Sequence, residues 1–212
     1  MNISVLIGSC DDYSFLWDNF NILFKRYWKL NTKNYLISET KSFDNTNYQT
    51  LTFGKLPWGE RILKTLELID TEYVFFILDD YYLSEEITED IIYNHIELMK
   101  KYSGDKIMID IDYGEPIYSL EKIKDNLYKF RQNSNYLNSV QPSIWKTDYL
   151  RTVLKSHYSP WDFELIGNDF TKTLNPTILL NKRESHIYFN FTRIGGKLSD
   201  GWEEFLKSQN LL

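Results

Sequence analysis

The chain has 212 residues, a net charge of -6, 42% hydrophobic and 25% charged residues, the ordinary balance of a globular protein long enough to bury a core. The acidic balance and the lack of a Lys/Arg-rich run exclude a nucleic-acid footprint, and one cysteine, Cys10, excludes an intramolecular disulfide framework and a multi-cysteine zinc site. No apolar run approaches the roughly 18 residues of a membrane span, and the N-terminus has neither the basic start nor the cleavage site of a signal peptide, so the expected compartment is the cytoplasm, with room for peripheral contact at the inner membrane face.

Residues 3–7 form a short apolar run ending at Gly8-Ser9, which predicts a fully buried strand. Asp11-Asp12 precede a helical pattern in which Leu16, Phe20, Leu23, Phe24, Tyr27 and Trp28 share one face. Residues 35–38 predict a second strand and 40–50 a polar loop. Pro57 opens a helix with Trp58, Ile62, Leu63, Leu66 and Ile69 on its buried face. The run Tyr73-Val74-Phe75-Phe76-Ile77-Leu78 predicts a buried strand that stops at Asp79-Asp80. Residues 87–102 are helical and Ile107-Met108-Ile109 begin another strand. The later half is mixed: strands over 126–131, 137–145, 177–181 and 186–192, a helix over 147–155, and a break at Ser159-Pro160. Alternation of strand and helix over the first 112 residues predicts an α/β fold with a mostly parallel central sheet flanked by helices. Such sheets bind ligands at the carboxyl ends of their strands. With no repeat, low-complexity tract or linker, residues 1–212 are expected to form a single domain, with 1–112 as the ligand-binding half and 113–212 as a smaller mixed region.

Asp79-Asp80 is the sharpest chemical feature. Two carboxylates delivered to the end of a buried strand are hard oxygen ligands, suited to Mg²⁺ or Mn²⁺ bridged to phosphate. A solvated acidic turn, extended by Glu85 and Glu86, is the plain alternative. Asp110-Ile111-Asp112 is a second acidic cluster, and Asp11 is equally suited to capping the helix that follows it. Asp162 and Glu164, after Ser159-Pro160-Trp161, suit either a helix N-terminus or acid–base work. Arg193-Ile194-Gly195-Gly196-Lys197 is a glycine-rich basic turn without P-loop spacing. His95 lies within a helix and reads as structural. The aromatic share of 17% suits a dense core or stacking on bases and sugar faces.

The stretch from Trp58-Gly59-Glu60-Arg61-Ile62 to Leu78-Asp79-Asp80-Tyr81-Tyr82-Leu83 resembles the core of GT-A glycosyltransferases. There, an arginine-bearing helix runs into a hydrophobic strand ending in an Asp-rich metal motif, commonly DxD. Tyr81 departs from strict DxD, and the Leu-Asp-Asp-Tyr-aromatic form is similar to that of bacterial capsular and lipopolysaccharide transferases. The resemblance covers most of the chain in short pieces. It implies a Rossmann-like GT-A domain that uses a divalent metal (Mn²⁺ or Mg²⁺) to move a sugar from a nucleotide-sugar donor to a hydroxyl of a saccharide or lipid-linked acceptor. Asp80 with Asp79 would hold the metal, Asp79 alternatively facing the ribose, and His186 would complete the shell. Asp11 would meet the base or ribose, Arg61, Gly196 and Lys197 the diphosphate, and Trp161 the acceptor. Asp162 or Glu164 would be the base of an inverting reaction. The missing Gln-x-x-Arg-Trp element speaks against a processive synthase. A sugar-nucleotide nucleotidyltransferase is one alternative, disfavoured by the acidic Gly8-Ser9-Cys10-Asp11-Asp12 loop, and a non-catalytic carbohydrate- or partner-binding module is another.

Overall fold

The computed structural model describes residues 2–111, 118–183, 185–193 and 196–212. In chain order, β1 (Ile3–Gly8) leads through a 3₁₀ turn (Asp11–Leu16) into α1 (Trp17–Tyr27), then β2 (Lys33–Ser38), β3 (Gln49–Thr52), α2 (Trp58–Glu67) and β4 (Tyr73–Leu78). The short β5 (Tyr81–Leu83), α3 (Glu89–Lys101) and β6 (Lys106–Met108) follow. The second half contains β7 (Leu120–Lys124), β8 (Leu127–Phe130), β9 (Ser143–Lys146), α4 (Thr147–Val153), α5 (Pro160–Leu174), β10 (Ile178–Asn181), β11 (Tyr188–Asn190), β12 (Thr192–Arg193), β13 (Lys197–Leu198) and α6 (Trp202–Ser208).

Among the described residues, nine strands form one sheet in the order β3-β2-β1-β4-β9-β6-β10-β8-β7. β1, β2, β3 and β4 run parallel, whereas β9 inserts antiparallel between β4 and β6, and β8 and β7 extend the far edge antiparallel. The sheet is therefore mixed, its parallel character confined largely to the β3–β4 side. β1 and β4 occupy its middle, which is why they read as unbroken apolar runs: both faces are covered and nearly every residue is buried. On one face Val5, Ile7, Phe75 and Ile77 meet Phe20 and Phe24 of α1 and Ile92 and Met99 of α3. On the other, Leu6 and Phe76 meet Ile62 and Leu66 of α2 and Phe163 of α5. Each fully buried Leu, Ile or Phe contributes about 1.5–3 kcal/mol of transfer free energy. β5 and β11 form a separate antiparallel ribbon and β12 pairs with β13, so the segment after Asp80 lies against the C-terminal part of the chain.

Two local readings change. The expected strand over 137–145 shrinks to Ser143–Lys146. The backbone before it takes its hydrogen bonds from side chains instead of a neighbouring strand: Leu137 N–H donates to Asn168 Oδ1 (2.7 Å) and Val140 N–H to Glu164 Oε1 (2.8 Å). The break at Ser159-Pro160 is the start of the 15-residue α5. Ser159 and Asp162 form a reciprocal capping box around Pro160 at the first helical position, and the helix ends at Asn175 in the left-handed region (φ 50°).

Candidate active site at the carboxyl edge of the sheet

Register brings the end of β1 against the end of β4, with Gly8 opposite Leu78, so Ser9 and Asp79 emerge side by side. The Asp79 N–H donates to the Gly8 carbonyl (3.2 Å). Asp79 turns inward and is 3% exposed. Its Oδ2 accepts from Ser9 Oγ and from Trp17 Nε1 (3.0 Å), and Trp17 Nε1 also lies 2.8 Å from Ser9 Oγ. Burial, and next the charge of Asp80, hold the Asp79 carboxyl well above the usual carboxylate range, against the pull of the Ser9 and Trp17 hydrogen bonds. The Asp79 side chain thus ties β4 to β1 and to the first turn of α1. The expected contact of Asp79 with a ribose or a metal is not what this orientation offers.

Asp80 has a different environment. Its carbonyl accepts from Phe191 N–H (2.7 Å) and its Oδ2 from Thr192 Oγ1 (2.6 Å). Oδ1 is buried and has no hydrogen-bond partner among the described residues. Burial pushes the Asp80 pKa up to about 6, opposed by the Thr192 hydrogen bond and the charge of Arg193. The Tyr13 hydroxyl, also hydrogen-bonded to Thr192, closes this side. Gly196 sits in the turn between β12 and β13 with φ 73°, and a Cβ there would lie 3.4 Å from Tyr13 Oη. The C-terminal hairpin therefore covers the Asp80 end of β4, with Lys197 exposed on it. Ile194 and Gly195 lie outside the described residues.

Arg61 does not face solvent. It is 3% exposed, its Nη1 donates to the Ser9 carbonyl (2.7 Å), and its Nη2 lies 3.9 Å from Glu39 Oε1. Its position fits a brace for the turn after β1 rather than direct contact with a diphosphate. Asp11 is not a helix cap either. Its carboxylate accepts from the N–H groups of Thr40 and Lys41 (2.9 Å each) and from Ser38 Oγ (3.2 Å). The hydrogen bonds from Thr40 and Lys41 hold Asp11 far below the usual carboxylate range.

The two candidate bases are also separated. Asp162 Oδ2 accepts from Ser159 N–H (2.9 Å) and Oγ (2.7 Å), and these bonds lower its proton affinity. It is occupied as the capping residue of α5. Glu164, two residues further along α5, accepts from Val140 N–H, and burial, the largest influence on it, raises its pKa. The charge of Asp80 raises it further, although less than Lys106 and Ser139 lower it. Trp161 is 50% exposed on the first turn of α5.

His186 is drawn elsewhere. Its Nδ1 lies 3.0 Å from Oδ2 of the buried Asp110, which also accepts from Ile187 N–H (3.1 Å). The β5–β11 ribbon places Asp80 beside Phe191 and Ser84 beside Ile187. His186 is thus roughly 15 Å along the ribbon from Asp80 at about 3.3 Å per residue. The structure pairs His186 with Asp110 rather than with Asp80. Asp112 of the second acidic cluster lies outside the described residues.

Among the described residues no group of three or more His, Cys, Asp and Glu side chains converges as a cation cage. The Asp80 carboxylate still fits a divalent cation. An orphaned buried oxygen is the donor such an ion takes, and Mg²⁺-type sites are commonly built from one or two carboxylates completed by substrate phosphates and water. The sequence did not point to Tyr13, Trp17, Thr192 or Lys106. Only Lys106, a charge opening the apolar run Ile107-Met108-Ile109, left a visible signal. Two open clefts, one lined by Lys33, Tyr35, Asn47 and Gln49 and the other by Lys129, Arg131 and Asn175, do not reach Asp79 or Asp80.

No helix among the described residues is long and apolar enough to cross a membrane. The sequence matches no family model, and no curated protein is similar to it in sequence. Solved structures share its fold. The S. aureus TarS fragment 1–349 in complex with UDP-GlcNAc is 13% identical with a TM-score of 0.60, over 98% of this chain and 65% of that one. UDP-glucose pyrophosphorylase complexed with UDP-glucose is 11% identical with a TM-score of 0.61, over 99% and 98%. The 2-C-methyl-D-erythritol 4-phosphate cytidylyltransferase from Thermus thermophilus is 11% identical with a TM-score of 0.55, over 100% and 98%. This chain spans 59% of the length of the TarS fragment in its complex with UDP. The architecture is the Rossmann-like α/β fold, a large mixed sheet flanked by helices, that GT-A transferases and nucleotidyltransferases have in common.

Proposed function

We propose that the chain is a divalent-cation-dependent glycosyltransferase that moves a sugar from a nucleotide-sugar donor to a hydroxyl of a saccharide or lipid-linked saccharide. The observation that carries this reading is the buried Oδ1 of Asp80, without a hydrogen-bond partner among the described residues, at the carboxyl end of β4, which runs parallel to β1. Neighbours of the same fold solved with UDP-GlcNAc and UDP-glucose support a donor of that class. Asp80 would hold Mg²⁺ or Mn²⁺, which when bound offsets the charge building on a departing diphosphate. The other roles belong to the chain itself. Asp79, through Ser9 and Trp17, fixes the end of β4 so that Asp80 is presented. Arg61 braces the same turn from below. Lys197, exposed on the hairpin above Asp80, supplies a positive charge for the diphosphate. Glu164 takes the acceptor proton as the acceptor oxygen bonds to the anomeric carbon and the bond from that carbon to the phosphate oxygen breaks, which gives inversion. Its raised proton affinity suits that task better than that of Asp162, which the capping box holds low. Trp161 offers a sugar-stacking face at the entrance. Surface-glycan assembly (capsule or lipopolysaccharide) by one catalytic domain in the cytoplasm, at the inner membrane face, belongs to the same proposal.

A donor screen tests it. UDP-, GDP-, CMP- and dTDP-sugars incubated with Mn²⁺ should show hydrolysis of at least one donor by the wild type and not by Asp80→Ala. No turnover of any donor, or equal turnover by the variant, overturns the proposal. The match over 98% of UDP-glucose pyrophosphorylase favours a second reading, nucleotidyl transfer. Pyrophosphate release from a nucleoside triphosphate and a sugar 1-phosphate would replace the first reading with that one.

A further inference from the structure

Lys106 opens β6 and is entirely buried. Its Nζ donates to the carbonyls of Ser139 (2.7 Å) and Leu137 (3.2 Å) and lies 4.3 Å from the centre of the Trp145 ring. Burial pushes its pKa down to about 7, and the charge of Glu164 opposes that shift. A buried ammonium without a counter-ion is costly, and Lys and Arg are rarely fully buried unless paired. The peptide it grips leads straight to Glu164. Ser139 gives its carbonyl to Lys106 and its hydroxyl to Glu164, and the next residue, Val140, gives its N–H to Glu164 Oε1 (2.8 Å). α5 clamps the same segment through Asn168 to Leu137 N–H (2.7 Å) and through Thr171 to Asn138 Oδ1 (2.8 Å).

We infer that Lys106 is a positioning residue for Glu164: it holds the Ser139–Val140 peptide so that one hydroxyl and one N–H aim at the carboxylate, and it supplies the positive charge that keeps that carboxylate ionised. Its role in turnover rests on the assignment of Glu164 as base, but the coupling itself does not. Among the described residues, the charged groups acting on Glu164 are Lys106 from β6 and Asp80 from the end of β4. Lys106 favours the ionised carboxylate and Asp80 opposes it. Loss of the lysine charge leaves Asp80 unopposed, so the midpoint of Glu164 moves to higher pH.

The test is a carboxyl ¹³C titration of the full chain labelled at glutamate, with the Glu164 resonance assigned by its loss in Glu164→Gln. The expected result is an upward move of the Glu164 midpoint by about one pH unit in Lys106→Met, and recovery in Lys106→Arg. Should Lys106→Met fail to fold, Ser139→Ala keeps the carbonyl for Lys106 and removes only the hydroxyl, and it too should raise the midpoint. An unchanged midpoint in whichever of these variants folds overturns the inference. Turnover of Glu164→Gln is read separately. If it equals that of the wild type while the midpoint still moves, the base assignment falls and the coupling stands.

Discussion

Two regions of the molecule, the carboxyl end of β1 and β4 and the start of β6 with α5, both bury charge, and they do so in opposite ways. At the β1–β4 end, two acidic side chains of like sign are sequestered together, one tied by a hydroxyl and an indole, the other left with an unpartnered oxygen. At the β6–α5 end, a cation and a carboxylate are buried on either side of one peptide, and the backbone between them satisfies both. Burying acidic groups side by side raises their pKa values, as at Asp79 and Asp80. Burying opposite charges through a shared peptide needs nothing from outside. The first end keeps one carboxylate oxygen without a hydrogen bond among the described residues, whereas at the second a carbonyl and an N–H of one segment meet both groups.

The strongest way to break this contrast is Asp80→Asn. Donor turnover should fall on the order of 100-fold or more, the scale of losing one preorganised electrostatic contact at a reacting centre. Metal-free stability should respond the other way. The folded Asp80 pKa, about 6, stands above its unfolded value, so its contribution is fully present below about pH 4 and is lost as pH rises to about 6. The loss is about 3 kcal/mol, and Asp80→Asn should remove that part of the decline, read from urea unfolding across this window.

Gly59→Ala should damage both ends at once. A Cβ at Gly59 would collide with the Lys155 carbonyl, and the Gly59 N–H donates to Tyr158 O (2.8 Å). α2 thus carries Arg61 to the β1 end while resting on the loop that enters α5. Forcing it away should cost about 3 kcal/mol, read as a lower urea midpoint with unchanged slope. Trp17→Phe touches the β1–β4 end alone. It keeps the ring and removes one of the two donors to Asp79, at a cost of about 1–2 kcal/mol by the same measurement. Asp162→Ala is the mildest. Loss of half the capping box should cost about 1 kcal/mol and leave donor turnover within a few-fold of wild type, whereas Glu164→Gln should not. Equal losses of turnover in these two variants would assign the base to Asp162 instead.

The first half of the fold was legible because its signals are local. β1 and β4 are unbroken apolar runs, α1 and α2 carry one-sided apolar faces, and Asp79-Asp80 interrupts a run that could only be buried. The second half was harder. Strands such as β7 (Leu120–Lys124), a lysine-rich edge, alternate weakly because solvent reaches them. The segment before β9 reads as a strand by composition, yet its backbone is bonded by Asn168, Lys106 and Glu164. Those partners come from helices and strands distant in sequence, and no spacing rule announces them.

The sequence alone determined the alternating α/β plan, the central strands and the position of the acidic pair, since each follows from the order of apolar and polar residues along the chain. It could not say that Asp79 turns toward Ser9 and Trp17 while Asp80 meets Thr192, because both lie in the turn after β4 and only the packing of residues distant in sequence decides where each side chain goes. Nor could it separate Asp162 from Glu164. That distinction rests on where α5 begins and on which face meets Val140. Both are settled by the burial of polar groups against distant backbone, where an unmet hydrogen bond costs about 1–3 kcal/mol and so selects one arrangement.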